Sequence, residues 1–170
     1  MSAVAGLSAV ALLGGCGFGT RQQAAAVVNG DVISESDVRA TYEQLQAAKL
    51  DFPENVVVTA LIAAPLLEKS VNPASWQPDD TYAAAIASIS APTPTTKEFV
   101  TAVALIQSNK MTPADVAAYR KALGTADISL SPKYGRFVQS DTGPVYFSLG
   151  PAAPNWIKPA APAATTPSAG

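Results

Sequence analysis

The residues able to do chemistry are few. The chain of 170 residues holds one cysteine, Cys16, and 0 histidines. Without histidine there is no Ser-His-Asp or Cys-His arrangement, and zinc and copper sites lose their usual nitrogen ligands. Ser70 and Lys69 are adjacent, which does not suggest a Ser-Lys dyad. Asp79-Asp80 is no calcium loop, and Gly14-Gly15-Cys16-Gly17 is no phosphate loop. The expectation is a protein that is not an enzyme and uses no cofactor and no metal. Cys16 remains as the one soft nucleophile. It closes the uncharged run from Ala9 to Gly15, and two small residues, Gly14 and Gly15, stand directly before it.

Leu13-Gly14-Gly15-Cys16 resembles a lipobox, the signal of bacterial lipoproteins. The resemblance implies a diacylglycerol thioether on Cys16 and cleavage between Gly15 and Cys16. It also implies a place on the outer face of the cytoplasmic membrane, held by the lipid. The competing readings are a secretory apolar segment with a coincidental cysteine, the start of a membrane-spanning helix, and a buried cytosolic cysteine. A spanning helix needs about 20 apolar residues, and Gly14, Gly15, Gly17 and Gly19 break this run before Arg21. Gly-rich flanks do not build a core. The order of apolar run, small residues and cysteine fits the lipobox. No Lys or Arg precedes the run. Either the N-terminal amine supplies the positive charge, or the true start lies upstream of Met1.

Net charge is −2 and charged residues make up 14% of the chain. There is no basic stripe, so no nucleic-acid partner is expected. With its one cysteine used for lipid, the fold must rest on packing without a disulfide. The domain reading is a signal over 1–15, a tether over 16–25, a single module over 26–149 and a Pro/Ala-rich disordered tail over 150–170. Trp156-Ile157 interrupts that tail, as a local latch or by simple exposure, with a docking motif as the sharper alternative.

Within the module, β-branched runs flank Asn29-Gly30, a strong signal for a hairpin with a type I′ turn. The arms are short, and such a hairpin is marginal without a further partner. Ser34, with Asp37 three residues on, starts a helix whose face is Val38, Tyr42, Leu45 and Lys49. Pro53 opens a helix that is apolar almost all round, hence buried, with Pro65 expected to kink it or end its first part. Asp79 or Asp80 caps a weak helix carrying Tyr82, Ile86 and Ile89. Thr95 with Glu98 reads as a capping box for a helix with a Phe99, Val103, Ile106, Lys110 face. Thr112-Pro113-Ala114-Asp115 starts a last helix, lined by Val116, Tyr119 and Leu123 and stopped by Gly124. Residues 127–131 alternate as a strand. A second hairpin is expected from 135–139 and 145–148 around a turn at 140–143.

Val-Asn-Gly-Asp-Val-Ile followed by Ser-Glu-Ser-Asp-Val, residues 28–33 and 34–38, is similar to the opening of the N-terminal module of SurA-type periplasmic chaperones. Ile128 to Gly135 resembles the segment after the last helix in actinobacterial lipoproteins of this kind. The resemblance implies a mainly α module with a small β element, its N-terminal hairpin closed against the C-terminal strands. It also implies holdase binding of unfolded or exported polypeptides. Parvulin isomerase activity is not carried over: the residues after Gly124 are too few for that domain, and its histidine pair is missing.

Two functional classes remain. One is a membrane-tethered chaperone; the other is a structural or adaptor lipoprotein that binds one folded envelope partner. A small apolar ligand between helices is a further alternative and needs a closed cavity. The candidate polypeptide-binding residues are the aromatics Tyr42, Phe99 and Tyr119, although aromatics at helical spacing are usually core.

Overall fold

The computed structural model describes residues 23–72, 76–108 and 110–151. The signal with Gly15, residues 16–22 of the tether with Cys16, and the tail from residue 152 with Trp156 lie outside the described residues.

The turn predicted at Asn29-Gly30 is present, with φ of 52° and 93° at the two residues. It joins β1 (Ala24–Val28) to β2 (Asp31–Ser34) as an antiparallel pair. The partner that this short hairpin needs is β3 (Ile128–Leu130). It runs antiparallel to β1, with Ala26 opposite Leu130 and Val28 opposite Ile128. The three-stranded order β2-β1-β3 thus joins the two ends of the module. Asn29 has a second task here. Its Oδ1 accepts from the Asp127 N–H at 2.9 Å, and its own N–H donates to the Asp127 carbonyl at 2.8 Å. The turn is therefore tied directly to the start of β3.

Five α-helices lie between β2 and β3 among the described residues. They are α1 (Glu35–Ala47), α2 (Glu54–Ser70), α3 (Asp80–Ser88), α4 (Pro94–Gln107) and α5 (Pro113–Thr125). Local signals start most of them. Ser34 accepts from the Asp37 N–H, Asp79 from the Tyr82 N–H, and Thr112 with Asp115 forms a full capping box. The start of α4 differs from expectation. Thr93 is the cap, Pro94 occupies the first turn, and the Thr96 N–H donates to the Thr93 hydroxyl at 3.1 Å. Pro at the first helical position outcompetes the Thr95–Glu98 box, because its fixed φ is already helical and its missing N–H leaves nothing unsatisfied.

α2 is the spine of the module. Almost every residue from Val57 to Leu67 is buried, and the helix continues through Pro65 instead of ending there. Burial of this apolar length outweighs the cost of a proline inside a helix, about 3 kcal/mol. α5 likewise runs one residue past Gly124, to Thr125. After β3, the hairpin of β4 (Arg136–Gln139) and β5 (Phe147–Gly150) is antiparallel, with Gln139 opposite Phe147. Its second strand begins two residues later than the sequence pattern implied, after the positive-φ Tyr146. The hairpin docks on α5 through Tyr119, whose hydroxyl donates to the Val145 carbonyl at 2.9 Å.

Candidate functional site

α4 is a helix with concave surface on two sides. Its core face is Thr96, Phe99, Val100, Ala102 and Leu105, which shares Phe99 with the Phe99, Val103, Ile106, Lys110 face that the sequence suggests but not the rest of it. A buried polar link fixes its N-terminal end. The Thr96 hydroxyl donates to Gln44 Oε1 at 2.7 Å and lies 3.2 Å from the Thr41 hydroxyl, while the Gln44 amide reaches the Ala91 carbonyl at 3.3 Å. Thr41 and Thr96 are fully buried. This link attaches α4 to α1 and explains why α1 turns Thr41 inward beside Val38 and Leu45, leaving Tyr42 half-buried.

The first groove, about 390 Å³, lies between α2 and α4. Ala64, Glu68 and Val71 supply one wall, at spacings of four and three that keep them on one side of the helix. Lys97, Glu98, Thr101, Ala102 and Leu105 supply the other wall, and Trp76 from the loop after α2 stands at one end. Late residues of α2 line this groove with Lys97 and Glu98 of α4, while Val56 and Ala60 from early α2 share a hollow with Ile106 and Gln107 of late α4, so the two helices run antiparallel. Trp76 is held from behind. Its ring meets Tyr82 edge to face at 5.6 Å, and the Tyr82 and Thr101 hydroxyls are hydrogen-bonded at 3.2 Å. Loss of hydration pushes the Glu98 carboxyl above its ordinary value, with added repulsion from Glu68 and then Asp37.

A second groove of about 340 Å³ follows the other side of α4, under α3, with Phe99 and Val100 at its base and Leu50, Phe52 and Tyr82 along its sides. Phe52 meets Phe99 edge to face at 5.2 Å. A third, smaller hollow of about 240 Å³ shares Phe52, Val103 and Gln107 with the second. It carries the apolar surface on to Val56, one of the exposed large aliphatic side chains. None of the residues of α3 is buried, so this helix covers the second groove as a thin layer.

The three aromatics singled out from sequence have different fates. Phe99 and Tyr119 are each 1% exposed, and both are core side chains. This corrects their reading as contact residues, since a ring that is already buried has no apolar area left to give a partner. Burial also drives the Tyr119 phenol far above its ordinary value, with a smaller push from Tyr146. Tyr42 sits in a polar hollow with Glu35, Arg39, Glu43, Glu54 and Lys133, where Lys133 pairs with Glu35 at 3.5 Å and Glu54 at 3.3 Å. The aromatic at the first groove is Trp76, which sequence reasoning did not single out. A tryptophan between two helices, with no helical period of its own, was the available signal. The described residues hold no cluster of His, Cys, Asp and Glu that could bind a metal ion.

Comparison with known protein families, with curated proteins and with solved structures finds no match for this chain. Among the described residues, no helix is long and apolar enough to cross a membrane.

Proposed function

We propose that this protein is a lipid-anchored, extracytoplasmic holdase that binds non-native exported polypeptides without catalysis. The observation that carries the reading is the pair of apolar grooves along α4, one with the half-buried Trp76 at its end. Open grooves suit an extended chain segment, whereas a small apolar ligand calls for an enclosed cavity. The SurA-type resemblance is supported by one topological feature, the pairing of β1 with the returning strand β3. The absence of histidine from the whole sequence argues for binding without the isomerase chemistry of parvulins. The lipid anchor rests on Cys16 and the run before it.

The test uses the chain without residues 1–19. It should slow aggregation of an unfolded client and leave prolyl isomer exchange unchanged, and Trp76→Ala should weaken the protection. A chain that ignores unfolded clients but captures one folded envelope protein at fixed stoichiometry replaces this reading with the adaptor. Mass spectrometry of membrane-extracted protein should show a diacylated N-terminal Cys16, and Cys16→Ala should release the protein from the detergent phase. An intact Met1 with a free thiol removes the anchor.

A further inference from the structure

The first groove has a composition that selects among segments, provided that the groove binds polypeptide as the holdase reading holds. Its lining is mostly apolar, through Ala64, Val71, Ala102 and Leu105 of the two walls. Its two long walls each bring a carboxylate to the rim, Glu68 from α2 and Glu98 from α4. Neither takes part in the ion pairs formed among the described residues, which use Asp79, Asp141, Glu35 and Glu54. Glu98 responds to the negative charge of both Glu68 and Asp37, so the three carboxylates act on one region. Lys97 is the one cation on the rim. It precedes Glu98 directly, and neighbours in a helix do not face each other.

A neutral apolar segment in this groove would take more water from two carboxylates and return nothing to them, and an acidic segment would add repulsion. A lysine or arginine side chain suits all three features together. Its methylene stem lies on apolar surface while its charged end reaches the rim. A guanidinium also stacks on an indole, here Trp76. We propose that the groove between α2 and α4 takes an extended polypeptide segment in which an arginine or lysine is flanked by apolar residues, the cation lying between Glu68 and Glu98.

The experiment uses the full chain carrying Trp156→Phe, which leaves Trp76 as the sole tryptophan. Three short Leu/Ala peptides that differ only in a central Arg, Gln or Glu are titrated against Trp76 emission. The Arg peptide should shift the emission and bind about three- to tenfold more tightly than the Gln peptide, the range expected of partly exposed ion pairs and a cation–π contact. The Glu peptide should bind weakest. Raised salt should narrow the differences. Glu68→Gln with Glu98→Gln should bring the three peptides together, and both positions are exposed, so the fold should survive, as far-ultraviolet circular dichroism will show.

Equal affinity for the Arg and Gln peptides, with Trp76 shifting for both, overturns the charge selection and leaves the holdase reading intact. Protection of an unfolded client with no Trp76 response to any peptide also overturns it, by moving the binding surface elsewhere. No peptide binding together with no client protection overturns both.

Discussion

Tyr119→Phe tests whether α5 holds the β4–β5 hairpin through one hydrogen bond. The hydroxyl is inside the protein, donating to the Val145 carbonyl at 2.9 Å, and Val145 is itself 6% exposed. Phenylalanine keeps the ring and its packing but removes the donor, so a buried carbonyl is left without a partner. Such a loss costs about 1–2 kcal/mol, more than the net worth of an exposed hydrogen bond. For a domain of this size the shift in Tm should be about 3–8 °C. Thermal and urea unfolding of the full chain, followed by circular dichroism, should show a lower midpoint with an unchanged urea slope. Amide exchange should quicken most across Arg136–Gln139 and Phe147–Gly150, and least in β1. The pH dependence carries a second check. Burial raises the Tyr119 phenol above its ordinary value of 10.0, so the folded protein keeps a proton that the unfolded chain releases. The stability tied to that proton is complete below the ordinary value and is lost as pH rises beyond it. The phenylalanine variant has no such proton, so the gap between the two proteins should shrink in strong alkali. A Tm unchanged within about 1 °C and uniform exchange would refute the hairpin anchor.

Gly30→Val should destabilise the module by about 1–2 kcal/mol, because φ at Gly30 is +93° and an added Cβ meets nothing within 4 Å, so the cost is in the backbone. Gly30→Asn should cost less, and chemical denaturation separates the two. Asp115 accepts from the Thr112 hydroxyl, the Thr112 N–H and the Asn72 N–H, which hold its carboxyl below the ordinary 3.8. Its contribution is present above that value and is lost as pH falls through the folded one. Asp115→Asn should therefore flatten the acid limb of the stability profile measured by Tm against pH. Glu98 has the opposite sign. Its carboxyl is raised above 4.5, so its charged form costs stability at neutral pH and the cost disappears on acidification. Glu98→Gln should raise Tm at pH 7 and make no difference well below pH 4.5.

What the sequence determined by itself is local. Asn29-Gly30 dictates a turn because only a few residue types accept successive positive φ angles. Ser34, Asp79 and Thr112 dictate helix starts because a short side-chain oxygen meets an N–H three residues on. The need for a third strand was legible as well, since two short arms cannot stand alone and the only later strand-like segments come after Gly124; that β3 rather than β4 fills the place was decided by the fold. Where two local signals competed, as at Thr93-Pro94 and Thr95–Glu98, the backbone preference of proline decided the outcome. Tertiary structure decided which sides of the helices are used. The inward turn of Thr41 and the use of Ala102 and Leu105 on α4 in place of Val103 and Ile106 depend on α1, α2 and α4 meeting, and no single periodicity encodes that. The continuation of α2 through Pro65 also comes from packing around the whole helix. Above all, the groove joins Ala64, Glu68, Val71 and Trp76 to residues of α4 between Lys97 and Leu105. Charge and apolar surface from two helices and a loop become one site only when the antiparallel packing of α2 and α4 sets them side by side.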